Sequence, residues 1–395
     1  MADCPAAVSS PGTVPAYRSV PIPGSVLLGS TGRNTGKTEF ACDLIRSLSQ
    51  RCPVFAVKVT TIKGGPATCV HGTKGCGVCA AMEGTCILTQ ELDPGTGKDT
   101  SRMLAAGAQR VWWLRVIDTA LDEGVEELTR LVPRGGILVV ESNSIRLACE
   151  PDIFFMLGNP DRPNVKESAR AVLSEVDRFV GFDGLTFDFD PGSLAMASGR
   201  INFPRDASAI ILAGGRSSRM GRDKRLLEVD GRPLLTHVFR QIAGSFSEVL
   251  FSVARFGDID TAGTRQVPDR FGDIGPIGGV ATALAESRHQ INFVTACDTP
   301  QIPLRFVHTM LRRARDHQVV VPVHPDGRHE PLFAVYRQDV LTDLHRLVGR
   351  GERKVRLLFD HVDTLRIPVP SDVDLRNLNT LADYDAFRAG TPAKN

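Results

Sequence analysis

Residues 212–224 read LAGGRSSRMGRDK and follow the apolar run ASAII at 207–211, so a predicted strand leads into a loop rich in glycine and cations. Glycine allows backbone N–H groups to approach phosphate oxygens closely. Arginine and lysine offset phosphate charge. The stretch predicts a nucleotide site that starts at Leu212 and Ala213. In it Gly214 and Gly215 would hold the phosphates, and Arg219 and Lys224 would neutralise them.

Length and composition describe a globular protein of more than one domain. The chain has 395 residues, of which 42% are hydrophobic and 23% are charged, and domains usually hold about 150 residues. The net charge of +2 does not favour nucleic-acid binding. Since no apolar stretch is long enough for a bilayer, a membrane partner is not expected. Residues 1–23 resemble a flexible tail more than a signal peptide, which predicts a cytoplasmic protein.

Predicted strands and helices alternate in two separate parts of the chain. Such alternation is typical of α/β folds with a parallel sheet covered on both faces. We predict a first domain over residues 24–185, in which residues 165–180 form a helix, and a second over residues 207–390. Residues 186–206 have no sustained periodicity and are predicted to be a linker.

A second phosphate loop is predicted near the N-terminus, where residues 29–38 read GSTGRNTGKT between a strand and a helix. Gly36, Lys37 and Thr38 match the end of a Walker A loop, in which the lysine contacts β- and γ-phosphates and the threonine holds Mg²⁺. Thr31 occupies the first glycine position of that motif, so Gly32 is expected to take over the backbone role.

Glu141 follows the apolar run 137–140, where a carboxylate would orient Mg²⁺ or water beside this loop. The alternative interpretation of residues 29–38 is a glycine-rich turn with an exposed lysine. The order of strand, loop and helix favours phosphate binding.

Residues 24–185 resemble the MobB family, the P-loop GTP-binding proteins of molybdenum-cofactor maturation. The resemblance rests on Gly36-Lys37-Thr38, on residues 58–60 (KVT), on residues 94–102 (PGTGKDTSR) and on residues 105–108 (AAGA). It implies a P-loop NTPase-like fold, GTP binding with slow hydrolysis, and an accessory role beside a transferase.

A cysteine cluster interrupts this first domain at Cys69, Cys76, Cys79 and Cys86. Four thiolates satisfy the ligand count of tetrahedral Zn²⁺ or of an iron–sulfur cluster, and His71 is an alternative ligand. A redox pair at Cys76 and Cys79, or unpaired thiols in a loop, are the competing interpretations.

The second domain resembles the MobA family, the molybdenum cofactor guanylyltransferases, over residues 207–388. Five landmarks carry the resemblance in order. They are residues 212–224, residues 275–279 (GPIGG), residues 296–300 (ACDTP), residues 330–336 (EPLFAVY), and residues 377–380 (NLNT) with Asp383. The resemblance implies a Rossmann-like, three-layer α/β nucleotidyltransferase fold.

The family resemblance also implies a reaction, in which GMP moves from GTP to Mo-molybdopterin and pyrophosphate leaves. Lys224 and Arg219 would stabilise the triphosphate, and Asp298 would hold Mg²⁺. Asp269 would bind guanosine, and Asn379 would orient the cofactor precursor or the metal. Displacement at phosphorus depends on alignment and charge neutralisation, which these residue types supply.

Several positions stay open. Glu330 stands where the family has glutamine, and Arg255 stands near a position where it often has asparagine. His324 and His329 would bind the pterin phosphate or are ordinary loop residues. Cys297 is expected to pack beside its strand.

The chain is therefore predicted to be a fused cofactor-maturation enzyme that uses Mg²⁺ and GTP. The first alternative is a molybdopterin cytidylyltransferase or another nucleotidyltransferase; Gly214-Gly215 favours guanine. The second is a GTP-dependent module that delivers or regulates the cofactor. Expected partners are molybdoenzyme apoproteins or their chaperones and the molybdenum-insertion protein.

Overall fold

The computed structural model describes two compact α/β units, separated between Arg205 and Asp206. None of the helices in the described part of the chain has the length and apolar content that crossing a bilayer requires. The described residues are 20–63, 84–158, 165–197, 199–214, 223–259, 264–272 and 274–390.

The first unit is built on a seven-stranded sheet in the order β3-β4-β2-β5-β1-β6-β7. Strand β3 pairs antiparallel with β4, and the other neighbours are parallel. The elements up to β7 are β1 (Val20–Ser30), α1 (Lys37–Ser49), β2 (Val54–Ile62), β3 (Cys86–Glu91), α2 (Asp99–Ala105), β4 (Arg110–Ile117), α3 (Leu121–Leu131), β5 (Ile137–Glu141), β6 (Cys149–Leu157), α4 (Glu167–Arg170) and β7 (Arg178–Val180).

The central strands are apolar on both sides, as parallel strands covered by helices must be. Every residue of β5 is buried. Helix α1 directs Phe40, Leu44 and Leu48 into the core on one face of the sheet. A second core on the opposite face includes Val125 and Leu128 of α3.

Residues 186–205 are not a linker, because they pack into the first unit. Strands β8 (Ala195–Ala197) and β9 (Arg200–Asn202) form a small antiparallel ribbon. Phe203 is 3% exposed, and its ring centroid lies 5.5 Å from those of Phe155 and Phe189. The apolar residues here are spaced too irregularly to predict a helix or strand, and only the folded core shows where they pack.

The predicted helix over residues 165–180 is also wrong, since α4 ends at Arg170 and strand β7 begins at Arg178. Buried polar contacts hold the segment in this form. Asp177 accepts a hydrogen bond from the Phe154 amide at 2.8 Å, and Glu175 forms an ion pair with buried Arg146 at 2.9 Å.

The second unit contains another seven-stranded sheet, in the order β14-β13-β10-β15-β17-β16-β18. Its elements are β10 (Arg205–Leu212), β11 (Glu228–Val229), β12 (Arg232–Pro233), α5 (Leu234–Ile242), β13 (Phe246–Val253), β14 (Arg265–Pro268), α6 (Pro276–Glu286), β15 (Ile291–Ala296), α7 (Leu304–Arg313), β16 (Val319–Val323), β17 (Phe333–Arg337), α8 (Leu341–Gly349), β18 (Thr364–Pro368) and α9 (Leu381–Arg388).

This sheet is mixed rather than purely parallel. Strand β17 pairs antiparallel with both β15 and β16. Helices α5 and α7 cover one face, and α6 and α8 cover the other. The three-layer α/β arrangement expected for the second domain is therefore present, with one reversed strand that the alternating pattern did not reveal.

The packing of residues 186–205 predicts a local stability effect. Phe203→Ala should lower the free energy of unfolding of the first unit by about 3–5 kcal/mol, because it leaves a cavity in an aromatic core. The two tryptophans of the chain, Trp112 and Trp113, both lie in β4, so urea denaturation followed by tryptophan fluorescence reports this unit.

Leu185→Ala is the control, because Leu185 is 91% exposed. The free energy of unfolding of Leu185→Ala should stay within about 0.5 kcal/mol of the value for the parent chain. Equal unfolding midpoints for Phe203→Ala and Leu185→Ala would contradict the assignment of residues 186–205 to the core of the first unit.

Candidate functional site

The candidate site of the second unit lies where β10 and β15 end. These strands are parallel neighbours, and Leu212 pairs with Ala296 at their carboxyl ends. The Cys297 amide donates to the Leu212 carbonyl at 3.1 Å. Since ligands of open α/β sheets bind outside the carboxyl ends of the strands, the glycine-rich loop and the residues after β15 begin at a ligand-binding edge.

Three of the predicted site residues meet at this edge. The Lys224 ammonium lies 3.1 Å from Asp298 Oδ2 and 3.3 Å from Asn379 Oδ1. The Lys224 and Asp298 side chains are 15% and 21% exposed. The cluster is therefore partly sheltered from water and still open to a ligand. Asp298 and Asn379 are separated from Lys224 by 74 and 155 positions in the chain, so only the fold brings the three together.

The loop that carries Asn379 is held by its own hydrogen bonds. The Leu378 amide donates to the Asp298 carbonyl at 2.8 Å. Asp383 accepts from the amides of Asn379 and Thr380 at 3.0 and 2.7 Å. Burial acts to raise the pKa of Asp383. The hydrogen bond with the Thr380 side chain, the bonds from these two amides and the Lys224 charge outweigh it and hold the pKa below its usual value. The loop therefore presents Asn379 in a defined position.

Gly214 packs closely against the end of the neighbouring strand β13. A Cβ at this position would lie 3.1 Å from the Ala254 nitrogen. The preceding Ala213 amide donates to the Ser252 carbonyl at 2.8 Å. Gly215 and Arg219 lie outside the described residues, so their phosphate-binding roles stay predictions.

Asp269, the predicted guanosine ligand, follows β14 and faces the start of α6. Its Oδ1 accepts from the Phe271 amide at 2.9 Å and from the Thr282 hydroxyl at 3.3 Å. A Cβ on Gly278 would lie 3.1 Å from its Oδ2, so the carboxylate packs closely against the first turn of the helix. Helix α6 begins after Gly275, whose φ of +85° suits glycine. The structure shows Asp269 as an anchor of this helix, and guanosine binding stays a prediction.

Glu330, which replaces the family glutamine, is a paired carboxylate. His324 Nε2 lies 2.9 Å and Arg328 Nη1 lies 3.2 Å from its Oε1. His324 is therefore engaged with a neighbouring side chain. Burial and the charges of Arg366 and Arg356 lower the pKa of His329, which favours its neutral form.

Cys297 lies next to Asp298, and Arg255 lies on the surface. Burial raises the pKa of the Cys297 thiol to about 12, so the group stays protonated near neutral pH, as a packing role requires. Arg255 is exposed, and its amide donates to Asp258 Oδ2 at 2.8 Å.

The first unit contains a matching arrangement after β1. Strand β5 lies between β1 and β2 and pairs through Glu141 with both Leu28 and Lys58. The Lys37 ammonium lies 3.0 Å from Glu141 Oε1, and the Thr38 hydroxyl donates to Glu141 Oε2 at 3.2 Å. Glu141 is 3% exposed. The structure thus brings together the three side chains that the sequence predicts for one phosphate site.

Tight backbone turns form the loop ahead of α1. Gly36 has a φ of +76°, and a Cβ there would lie 3.0 Å from the Phe182 ring. Asn34 also adopts a positive φ, of 57°. At Gly32 a Cβ would meet only Thr35 Cγ2, at 3.9 Å, so close packing does not explain that glycine.

Two further cations lie near this loop, and no role in the site was predicted for either side chain. The first is Lys166, whose amide donates to the Thr31 carbonyl at 2.9 Å. Burial, and then the charges of Lys37 and Arg33, hold the pKa of Lys166 below its usual value, against the opposite effect of Glu141. A local motif could not have indicated this residue, because it follows β6 and lies far from the loop along the chain.

The second cation is Lys58, which begins the stretch KVT of the family resemblance and forms an ion pair with Asp99 at the start of α2. Burial acts to raise the pKa of Asp99, but the hydrogen bond and charge of Lys58 outweigh it and lower the pKa. Asp99 belongs to the stretch KDT that carried the resemblance to the MobB family, so its proximity to Lys58 links two quoted motifs.

The cysteine cluster falls mainly outside the described residues, which omit Cys69, Cys76 and Cys79. Cys86 begins β3, and burial raises the pKa of its thiol. Within the described ranges, no group of three or more His, Cys, Asp or Glu residues is placed to hold a metal ion. The predicted Zn²⁺ or iron–sulfur site therefore stays a prediction.

Comparison with known proteins agrees with the geometry of the second unit. Residues 209–365 match the family described as "MobA-like NTP transferase domain". The molybdenum cofactor guanylyltransferase of Vibrio campbellii is 31% identical over 187 residues, which cover 47% of this chain and 96% of that protein. The probable molybdenum cofactor guanylyltransferase of Mycobacterium tuberculosis H37Rv is 34% identical over 186 residues, covering 45% of this chain and 92% of that protein.

Among solved structures, molybdopterin-guanine dinucleotide biosynthesis protein A from Archaeoglobus fulgidus matches with a TM-score of 0.41 and 21% identity, over 45% of this chain and 95% of that chain. The two sequence relatives are each more than 30% identical, and the matched residues cover more than nine-tenths of each of them. Through its MobA-like nucleotidyltransferase domain, the chain belongs to the molybdenum cofactor guanylyltransferase family.

Proposed function

We propose that the second unit transfers GMP from GTP to Mo-molybdopterin, yielding the guanine dinucleotide form of the cofactor and pyrophosphate. The observation that carries this proposal is the meeting of Lys224, Asp298 and Asn379 at the carboxyl ends of β10 and β15. The names of the sequence relatives support the choice of GTP and of a molybdenum cofactor precursor.

The reaction is a displacement at phosphorus. An oxygen of the terminal phosphate of molybdopterin forms a bond to the α-phosphorus of GTP, and the bond from that phosphorus to the bridging oxygen of pyrophosphate breaks. Both reactants are anions, so catalysis depends on alignment and on charge neutralisation. The Lys224 ammonium supplies positive charge where pyrophosphate leaves.

The contacts of Lys224 suit this role. In the structure its ammonium is held by Asp298 and Asn379, so little reorganisation is needed before phosphate oxygens replace these acceptors. The carboxylate and amide oxygens of Asp298 and Asn379 are ligands that Mg²⁺ prefers, and a bound ion would neutralise phosphate charge there. Asp298 would then exchange an ion pair with Lys224 for metal binding.

We also propose that the first unit is a MobB-like P-loop domain that binds GTP and assists the transferase. Lys37 and Thr38 begin α1 beside buried Glu141, and Arg33 and Lys166 add positive charge around the same loop. A helix N-terminus preceded by a glycine-rich turn binds phosphate well. Joining both activities in one chain would raise the effective concentration of one for the other.

Nucleotide selectivity distinguishes the proposed reaction from its alternatives. With Mo-molybdopterin and Mg²⁺, we expect pyrophosphate release with GTP and much less with CTP. Preference for CTP would favour the cytidylyltransferase. No release with either nucleotide, together with GTP hydrolysis, would favour the module that delivers or regulates the cofactor.

Asp298→Asn should reduce transfer by about 100-fold or more, because it removes an anionic metal ligand from the site of charge development. Pyrophosphate release measures transfer, and GTP hydrolysis measured without molybdopterin reports the first unit. We expect hydrolysis to be unchanged. Asp372→Asn, at an exposed position of the same unit, is the control and should keep full transfer activity.

Lys37→Ala should remove GTP binding by the first unit and leave transfer by the second unit in place, because the lysine contacts the β- and γ-phosphates of a P-loop nucleotide. Isothermal titration would show the loss of one class of GTP site. Lys63→Ala, which removes an exposed lysine paired with Glu167, should keep both. Complete loss of pyrophosphate release in Lys37→Ala would rule out a merely accessory first unit.

A further inference from the structure

The segment that carries Lys224 is short and needs support from outside itself. Lys224–Leu226 forms a single 3-10 turn, and isolated turns of this kind have little stability of their own. The position of the Lys224 ammonium therefore depends on contacts that fix the turn to the sheet. Arg225, for which the sequence indicated no role, makes these contacts.

Arg225 fixes the start of this turn through Asp223. Its Nε and Nη2 donate to Asp223 Oδ1 and Oδ2 at 2.9 and 2.7 Å, and its backbone amide donates to Oδ1 at 3.0 Å. The hydrogen bonds from the Arg225 side chain hold the pKa of Asp223 below its usual value. Asp223 is thus both the cap of the turn and the partner of the guanidinium.

The same guanidinium reaches two other segments beside the site. Its Nη1 lies 3.4 Å from the carbonyl of Ala213, directly after β10, and 3.3 Å from the carbonyl of Asp258, in the loop after β13. Arginine suits this task because its rigid, planar group carries several donors in fixed directions. A lysine ammonium on a flexible chain would not reproduce the set.

We propose that Arg225 is a positioning residue for nucleotidyl transfer, which holds the Lys224 ammonium at Asp298 and Asn379 by fastening its turn to the end of β10 and to the loop after β13. The inference rests on the proposed transferase function and adds to it. Arg225 acts through Lys224, and its own donors are occupied by Asp223, Ala213 and Asp258.

Hydrogen exchange tests the structural part without any need for activity. The Leu226 and Leu227 amides donate to the Asp223 and Lys224 carbonyls at 3.1 and 3.2 Å. In Arg225→Gln, exchange of these amides should accelerate about tenfold, the effect expected from losing hydrogen bonds to a charged group. Arg240→Gln, at an exposed position of α5, is the control. Unchanged exchange in Arg225→Gln would overturn the proposal.

Kinetics test whether the effect passes through Lys224. Arg225→Gln should lower kcat about tenfold and change the KM for GTP by less than about threefold, since the lost interaction matters most in the transition state. In a Lys224→Ala background, Arg225→Gln should cost less than about a further twofold. Fully additive losses would overturn the proposal, because Arg225 would then act independently of Lys224.

Two further measurements keep the outcomes separate. If Arg225→Gln lowers the melting temperature of the second unit, Asp223→Asn tests the same tether, because it retains the arginine and weakens its charged partner. It should change exchange and kcat in the same direction by a smaller factor, and no change in either would count against the proposal. The parent chain could release no pyrophosphate while Arg225→Gln still accelerates exchange of the Leu226 and Leu227 amides. That result would contradict the transferase function and support the role of Arg225 in holding the turn.

Discussion

Parallel pairing of neighbouring strands is the constraint on which both candidate sites depend. When two strands run side by side in the same direction, the residues that follow them emerge at one edge of the sheet. In the second unit this places Asp298, after β15, beside the loop that follows β10 and carries Lys224. In the first unit it places Glu141, at the end of β5, beside Lys37 after β1.

The two units therefore share one arrangement of charges. In each unit, a lysine that follows one strand lies about 3 Å from a carboxylate. That carboxylate is at, or just after, the end of the neighbouring parallel strand. Pairs of this kind add little to stability, because desolvation offsets most of the attraction. For the phosphate binding proposed at both sites, their value would lie in preorganisation, since a phosphate group would meet a cation that is already in place. Arg225 extends this principle from the charged group to the turn that supports it.

The sequence indicates candidate sites where a function requires particular residues in a short stretch, and the phosphate-binding roles of those residues stay predictions. The motifs around Lys37 and Lys224 can be recognised because phosphate binding needs glycine and a cation close together. Sequence reasoning failed where long-range packing decides the structure. Residues 186–205 lack a clear period, yet Phe203 is buried against Phe155. Residues 165–180 have helical spacing, yet Asp177 binds the Phe154 amide and the segment ends in a strand.

The sequence by itself determined the two-domain α/β organisation and the glycine-rich stretches around Gly36 and Gly214. It also determined which residues make up the motifs that contain Lys224, Asp298 and Asn379. These features depend on local pattern and residue type. The tertiary structure decided that Lys224 meets Asp298 and Asn379, that Glu330 is paired with His324, and that Arg225 supports the turn. The contacts of Lys224 join segments 74 and 155 positions apart, and only the register of the sheet and the packing of its loops bring them within hydrogen-bonding distance. The contacts of Glu330 with His324 and of Arg225 with Asp223 are close in the chain, but they depend on the folded conformation of their loops.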